Sequence, residues 1–276
     1  MNLFKKIYIV AQFFLISQYA FAQLDSLVVP IVYLHAHNDY EKIGRKPLFK
    51  ALEAGATSVE IDLFPMRNGQ LKIAHIPLFL FAKRNFEATY LKPLASHIKG
   101  THNKLYTKDS VRLILMIDLK RNAAQGYASI RKLAMEYESL FTIWYPNQDS
   151  VKYGPVELLV SGHKPWKQLL FDSIRYMRID GGLGQIGDTL YKVELAPRVS
   201  ARYGSQFKWR GKGAMPAIES EKLKALVRAA HADGRQIRFW AMPNNLKVWQ
   251  AMRDAGVDWL NVDKIRRLKR WHEAKL

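Results

Sequence analysis

Two acidic side chains stand two positions apart within one apolar run of the chain. Glu60 and Asp62 lie in the stretch 58–64, and the residues between and around them are mainly apolar. Because the side chains of a strand alternate between its two faces, both carboxylates point the same way. Buried carboxylates that share a face repel each other unless a cation or a shared proton lies between them. The spacing therefore predicts a site for a divalent cation.

Histidines lie on both sides of this acidic run. His75 follows fifteen residues after Glu60, while His35 and His37 end an earlier apolar run that begins at Ile31. Imidazole changes its protonation state near neutral pH and can serve as a general acid or base. We therefore predict that His37 and His75 transfer protons. His35 shares a face with His37 and is expected to support the site.

A third acidic position closes another apolar run. Asp118 and Lys120 end the stretch 113–120, again two positions apart. The carboxylates of Glu60, Asp62 and Asp118 would form an oxygen cage suited to one Mg²⁺ or Ca²⁺. Lys120 is expected either to hold a phosphate oxygen or to neutralise the carboxylates. The chain contains no cysteine, which excludes thiolate ligands.

Strand patterns alternate with helical patterns along the chain, which predicts a parallel sheet. The predicted strands are 31–37, 58–64, 111–119, 156–161, 176–180, 237–241 and 259–262, with an eighth in the weak pattern between 196 and 209. The predicted helices are 47–54, 123–140, 165–173, 219–232 and 246–255, and residues 78–110 are expected to form loops and a helix. Eight units in about 250 residues is the usual size of a (β/α)₈ barrel. A doubly wound sheet is the alternative.

Polar residues cluster where the predicted strands end, and this favours the barrel. They are His35, His37, Glu60, Asp62, Asp118, Lys120, His163, Asp180, Trp240 and Asp263. Barrel enzymes build their sites from side chains that converge at the C-terminal ends of several strands. We therefore predict an α/β fold, a (β/α)₈ TIM barrel with a single domain. His163 is expected to touch substrate, and Trp240 either to form an apolar wall against it or to pack at the barrel rim.

Other polar residues receive structural interpretations from their local context. Asn261 and Asp263 are expected to cap the helix that follows them. Four further histidines sit in helical or polar stretches and are predicted to lie on the surface; they are His97, His102, His231 and His272.

The first 22 residues have the pattern of a secretory signal peptide. Lys5 and Lys6 precede the apolar stretch 7–16, and small residues at 20 and 22 suit a cleavage site. The apolar core of about ten residues is too short to cross a bilayer of roughly 30 Å as a helix. We expect residues 1–22 to be cleaved and residues 23–276 to form the domain, which would be periplasmic or secreted.

The chain carries a large positive charge. Its formal net charge is +19, and it stays at +17 without Lys5 and Lys6. This excess favours anionic partners, namely phosphate esters, an anionic membrane surface or nucleic acid, although export makes nucleic acid a poor candidate. A solvated basic surface would account for the charge equally well. The basic run 264–271 is helical in pattern and suits either a docking helix or a solvated helix face.

A set of distinct motifs extends along nearly the whole mature chain. They are His37, the Glu-x-Asp of Glu60 and Asp62, Asn68-Gly69, His75, Asp118-Leu-Lys120, Phe239-Trp240 and the segment 256–263. Together they resemble the signature of the glycerophosphodiester phosphodiesterases, which are phosphatidylinositol phospholipase C-like barrels. The opening motif from His35 to Tyr40 and the Lys-Trp-Arg-Gly segment at 208–211 are similar to the altered-inheritance-of-mitochondria-like branch.

The resemblance implies a TIM barrel of the PLC-like phosphodiesterase type and a metal-dependent phosphoric diester hydrolase. It implies a cation held by Glu60, Asp62 and Asp118, with His37 and His75 as acid and base. The substrate would be a small-molecule or lipid phosphodiester.

The chain departs from the family after its first strand. Ordinary glycerophosphodiesterases have His-Arg-Gly and a Pro-Glu-Asn-Thr loop there, whereas this chain has His37-Asn38-Asp39 and no such loop. The arginine helps to hold phosphate, so that role passes to Asn38, Lys120 or Lys164, with Asp39 as a supporting residue. The missing loop weighs against a glycerophosphodiester as the substrate, and a shortened loop is also similar to the sphingomyelinase D relatives.

Two other functions remain open at this point. A catalytically silent binding protein would use the positive charge on anionic lipid or polysaccharide. A phospholipase D-like enzyme would use the same barrel and residues to cleave a different bond. Anion binding that persists after chelation, without turnover, would favour the binding protein.

Overall fold

A closed barrel of eight parallel strands forms the centre of the computed structural model, which describes residues 27–38, 47–81 and 84–276. The strands are β1 (Ile31–Ala36), β2 (Ala56–Pro65), β3 (Leu71–Ile73), β4 (Leu113–Leu119), β5 (Ile143–Tyr145), β6 (Ser150–Lys152), β7 (Val156–Gly162), β8 (Met177–Gly181), β9 (Arg198–Arg202), β10 (Gln236–Trp240) and β11 (Trp259–Val262). The barrel order is β1, β2, β4, β7, β8, β9, β10, β11, and β1 pairs with both β2 and β11. The predicted TIM barrel is confirmed, and closure excludes the doubly wound sheet.

Helices surround the barrel in the described part of the chain. They are α1 (Phe49–Glu53), α2 (Lys92–Gly100), α3 (Ala123–Glu136), α4 (Trp166–Phe171), α5 (Tyr203–Gln206), α6 (Ala217–Ala232), α7 (Leu246–Asp254) and α8 (Ile265–Glu273). Each longer helix buries one apolar stripe; in α6 the buried residues Leu223, Val227 and Ala230 recur at helical spacing. Among the described residues, no helix is long and apolar enough to cross a membrane.

The basic run near the C-terminus forms α8. Leu268 is its fully buried residue, and Trp271 packs edge-on against Trp249 of α7. Its arginines and lysines therefore lie on the remaining faces of an ordinary barrel helix, which agrees with the solvated-face interpretation.

The core lies between the barrel wall and the helices, and β2 shows how it is built. Val59, Ile61 and Leu63 are fully buried on the outer face of β2, under the helices. Glu60 and Asp62 alternate with them and face the barrel interior, as the period of a strand requires. Burial of both faces is typical of a parallel sheet covered by helices.

Strand register places the acidic residues side by side. Asp62 on β2 pairs with Asp118 on β4, and Asp118 pairs in turn with Ser161 on β7. All barrel strands run in the same direction, so their C-terminal ends lie at one end of the barrel. This end is called here the C-terminal mouth. The short strand β3 runs antiparallel to β2 and returns the chain to this mouth, where the amide of Ala74 donates to the Asp62 carbonyl at 3.3 Å.

Most predicted elements are confirmed, and some differ. The weak eighth strand is β9, and residues 78–110 contain loops and α2. The hairpin of β5 and β6 was not predicted. The surface prediction for His97 is wrong, because its side chain lies under Phe49 with 2% of its surface exposed. The predicted signal peptide and Asp39 fall outside the described residues.

The end of β7 requires a glycine beside the acidic cluster. Gly162 has a φ of 67°, and a Cβ there would overlap the Asp118 side chain and the Leu119 carbonyl oxygen. We expect Gly162→Ala to lower the free energy of unfolding by about 2 kcal/mol, because it adds both backbone strain and a clash. Thermal unfolding should show a fall of about 4–8 °C for a chain of this size.

Gly184→Ala is the matched control for this substitution. A Cβ at Gly184 would meet no atom within 4 Å. Equal melting temperatures for the two variants would contradict the close approach at Gly162.

Candidate active site

Three carboxylates meet inside the C-terminal mouth. Glu60 and Asp62 come from β2 and Asp118 from β4, and each offers an oxygen within 4.8 Å of the others. Glu60 and Asp62 are buried, while Asp118 is partly exposed. Negative charges this close, away from water, raise each other's energy strongly. Cationic partners are therefore needed to keep the three groups ionised together.

Lys120 supplies one such cation at the rim. Its Nζ donates to Asp118 Oδ2 at 2.6 Å and lies 2.8 Å from Asp62 Oδ2. Burial lowers the pKa of Lys120, but the bonds to Asp118 and Asp62 outweigh it, so the pKa is raised overall. Lys120 therefore stays an ammonium ion at neutral pH and bridges two of the three carboxylates.

Arg238 supplies a second cation from deeper in the barrel. It is buried on β10, and its Nη2 lies 3.3 Å from Glu60 Oε2. The same guanidinium contacts the Met116 sulfur from Nη1 at 2.8 Å. Arg238 thereby neutralises Glu60 at Oε2, the oxygen that His35 also contacts.

His35 holds Glu60 from the neighbouring strand. Its Nε2 lies 3.0 Å from Glu60 Oε2, and its Nδ1 lies 2.7 Å from the Ser58 hydroxyl oxygen. Burial, followed by the charges of Arg238 and Arg198, lowers the pKa of His35 well below its usual value. Since a carboxylate can only accept, the neutral ring donates from Nε2 and accepts at Nδ1. His35 positions a carboxylate and does not exchange protons.

His37 is held at the mouth by a carboxylate from the last barrel strand. Its Nδ1 lies 2.7 Å from Asp263 Oδ1, and its Nε2 lies 3.9 Å from Glu60 Oε1. Burial lowers the pKa of His37, but the hydrogen bond to Asp263 and the charge of Glu60 raise it further, so the net shift is upward. Asn244 fixes Asp263 by donating to its other oxygen at 2.8 Å.

The capping prediction for Asn261 and Asp263 is therefore wrong. The residue at the N-cap of α8 is Lys264, and no side chain caps that helix. The Asp263 carboxylate turns instead to His37, 226 positions away in the chain.

His75 contacts the cluster at Asp62. Its Nδ1 lies 2.7 Å from Asp62 Oδ2, and about half of its side chain is exposed. Asn38 is buried beside it, with the amide nitrogen 3.4 Å from His75 Nδ1. Both histidines thus present Nδ1 to a carboxylate, which leaves Nε2 as the ring atom for proton transfer with a ligand.

The remaining predicted residues lie around the same mouth. His163 is exposed after β7, and its backbone amide donates to the Leu119 carbonyl at 2.8 Å. Trp240 ends β10 with 41% of its surface exposed, and the Arg202 guanidinium lies 5.9 Å from the ring centroid. Within the described chain, neither side chain bonds to the carboxylates. Lys164 is half-buried; burial lowers its pKa while Asp180 and Asp118 oppose that shift.

Sequence reasoning missed Arg238, although a usable signal existed. Arg238 stands two positions before Trp240 in a predicted strand, so both must share the inward face. A charged residue inside a barrel needs a partner of opposite sign. The acidic strand was the obvious source of that partner. The contact between Arg238 on β10 and Glu60 on β2 depends on closure of the barrel, which the local pattern does not show.

Solved structures show which known proteins have the same fold. A calcium-dependent phosphoinositol-specific phospholipase C from a Pseudomonas species matches with a TM-score of 0.57 and 13% identity, over 85% of this chain and 89% of that one. A glycerophosphodiester phosphodiesterase from Parabacteroides distasonis matches with a TM-score of 0.55 and 11% identity, over 88% and 97%. The protein therefore shares the TIM-barrel fold of these two phosphodiesterases.

Sequence comparison then identifies the family. The model of the AIM6-like phosphodiesterase domain matches residues 23–179, more than half of the chain, so the chain belongs to this family. Altered inheritance of mitochondria protein 6 of Eremothecium gossypii is 26% identical over 90% of this chain and 72% of its own length. The homolog of Arthroderma benhamiae is 24% identical over 88% and 84%. The resemblance read from the motifs is confirmed.

The buried pairing of Arg238 with Glu60 can be tested by its effect on stability. We expect Arg238→Met, measured by urea unfolding in the presence of a chelator, to cost about 3–5 kcal/mol. The reason is that the buried Glu60 carboxylate loses its nearest permanent cation.

Arg266→Met is the control, since Arg266 is exposed on α8. It should unfold within about 0.5 kcal/mol of the wild type. If both variants unfold alike, Arg238 does not stabilise Glu60.

Proposed function

We propose that this protein hydrolyses phosphodiesters with one divalent cation held by Glu60, Asp62 and Asp118. The observation that carries the proposal is the group of three carboxylate oxygens within 4.8 Å of one another, flanked by His37 and His75. Membership of the AIM6-like phosphodiesterase family supports the class of reaction. The cation and the substrate are inferred from the site.

The donor set fits a hard divalent cation. Carboxylate oxygens are the ligands that Mg²⁺ and Ca²⁺ prefer, and these come from rigid neighbouring strands. Within the described chain, Lys120 and Arg238 are the permanent cations in direct contact with the three carboxylates, so one negative charge has no direct ion pair with a lysine or arginine. A bound divalent cation would supply Lewis acidity and stabilise the negative charge on a phosphate oxygen.

The two flanking histidines are the proposed acid and base. Asp263 holds His37 and Asp62 holds His75, each through Nδ1. Nε2 of one ring takes the proton of the attacking hydroxyl or water, and Nε2 of the other gives a proton to the leaving oxygen. Either histidine could be the base, with the other as the acid.

The polar rim supplies contacts for the phosphate and the group attached to it. Lys120 is a permanent ammonium beside the carboxylates, and Asn38 and Lys164 lie at the same mouth. These residues replace the phosphate-holding arginine that the chain lacks after its first strand. Trp240 offers an apolar wall for an alcohol or acyl group. The proposed substrate is a small-molecule or lipid-derived phosphodiester.

Removing one carboxylate tests the cation. We expect hydrolysis of bis(p-nitrophenyl) phosphate to require Mg²⁺ or Ca²⁺, to stop on chelation, and to fall by about 10²-fold or more in Asp118→Asn. Calorimetric titration with the metal alone should show weaker binding in that variant, because a ligand oxygen has lost its charge.

Asp109→Asn is the matched control, because Asp109 is exposed and pairs with Lys104 far from the mouth. Turnover that survives chelation would contradict the proposal. Anion binding that persists after chelation and in Glu60→Ala, with no turnover of any phosphodiester, would favour the silent binding protein.

Removing either histidine tests the proton transfers. His37→Ala and His75→Ala should each lower kcat by about 10²- to 10⁴-fold, since a general acid or base contributes on that scale. Metal titration should still show binding in both variants. His102→Ala, on an exposed turn, should keep wild-type turnover; full activity in His75→Ala would refute its role.

A further inference from the structure

An exposed apolar segment directly follows His75. This segment, residues 76–81, is called here the apolar tip. Its one-turn helix Pro77–Phe81 buries none of its residues, and Leu78 and Phe81 expose 71% and 77% of their surfaces. Ile76 and Phe79 are also exposed. A contiguous apolar patch of this kind marks an interaction site on a soluble protein.

The apolar tip is held outward by bonds at its base. The Ile73 amide donates to the Arg84 carbonyl at 3.1 Å, and Lys72 Nζ donates to the Leu80 carbonyl at 2.9 Å. Within the tip, the Phe79 amide donates to the Ile76 carbonyl at 3.1 Å. These bonds present the apolar side chains to solvent in a defined arrangement.

The apolar tip belongs to the C-terminal mouth. It begins one residue after His75, whose ring is bonded to Asp62 in the carboxylate cluster. Two other exposed apolar side chains stand at this end of the barrel, Trp240 at the end of β10 and Leu246 at the start of α7. Anything that covers the tip therefore lies against the entrance to the site.

The segments that surround the same mouth are basic. The segments 66–70, 74–81, 120–122, 162–165, 203–216 and 241–245 follow strands β2, β3, β4, β7, β9 and β10, and they contain seven lysines and arginines and no aspartate or glutamate. Asp263 follows β11 and is bonded to His37.

The opposite end of the barrel has a mixed charge. The segments that precede the strands carry Asp109, Glu138, Asp149, Asp172, Asp188, Glu194, Asp233 and Asp258 among their basic residues. Of the two ends of the barrel, the one that bears the apolar tip is therefore the more basic.

We propose that the C-terminal mouth docks on an anionic lipid bilayer, with the apolar tip inserted at the interface. Interfacial binding grows with the apolar area buried and with attraction to anionic lipids, and this face combines both. The basic segments complement lipid phosphates, which favours a bilayer over a protein partner. The consequence for substrate class, a phosphodiester carried by a membrane lipid, rests on the proposed function; the docking does not.

Vesicle binding tests the docking without any turnover. The wild type should sediment with phosphatidylcholine vesicles that contain about one third phosphatidylglycerol, and much less with pure phosphatidylcholine. The double variant Phe79→Ser with Phe81→Ser should bind the anionic vesicles at least about tenfold more weakly, because two aromatic side chains no longer enter the interface.

Phe171→Ser is the matched control. Phe171 is 78% exposed, as Phe81 is, but it ends α4 at the opposite end of the barrel. It should keep wild-type vesicle binding, and thermal unfolding should show that both variants are folded. The docking is contradicted if the wild type does not bind anionic vesicles or if the double variant binds them as well as the wild type. It is also contradicted if Phe171→Ser weakens vesicle binding as much as the double variant does.

Two further readouts separate the alternatives. If the wild type is a dimer on size exclusion and the double variant is a monomer, a second copy covers the tip and the docking is wrong. Turnover of bis(p-nitrophenyl) phosphate reports on the proposed function alone. Vesicle binding without turnover would contradict the proposed function and support the docking. Turnover without vesicle binding would support the proposed function and contradict the docking.

Discussion

The structure depends on the repulsion between three carboxylates held within 4.8 Å of one another inside a barrel. Charges of one sign cannot share a poorly hydrated space unless opposite charges compensate them. Lys120 compensates at the rim and Arg238 in the interior, while His35 donates a hydrogen bond to Glu60. These partners surround the cluster but leave it negative, so the same constraint that shapes the barrel interior makes the mouth a suitable place for a divalent cation.

The barrel meets this constraint through register and closure. Pairing of β2 with β4 brings Asp62 beside Asp118, and closure of β1 against β11 brings His37 within reach of Asp263. The antiparallel strand β3 turns the chain back so that His75 contacts Asp62. The two histidines therefore reach different members of the cluster, His37 near Glu60 and His75 at Asp62, and each is oriented by a carboxylate. A site built on strand ends is rigid, which would suit the acid and base roles proposed for these histidines.

The distribution of charge and apolar surface gives the molecule two unlike ends. Basic segments and the apolar tip surround the mouth that holds the cluster, and acidic residues are interspersed at the other end. A positive rim attracts phosphate esters whether they are free or carried by a lipid. Substrate attraction and surface docking would then use the same face. The missing phosphate-holding arginine is compatible with this arrangement, because the rim already supplies lysines beside the cluster.

The sequence by itself determined the barrel, its strand positions, the carboxylate set and the family. All of these follow from local periodicity and from motifs whose members lie within one strand or its end. Only the tertiary structure decided that Arg238 neutralises Glu60, that Asp263 turns to His37 and away from the helix it was expected to cap, and that His97 is buried. It also decided that Ile76, Leu78, Phe79 and Phe81 are exposed. The physical reason is that such pairings join residues far apart in the chain, and their geometry is set by closure of the barrel and by the packing of helices on it.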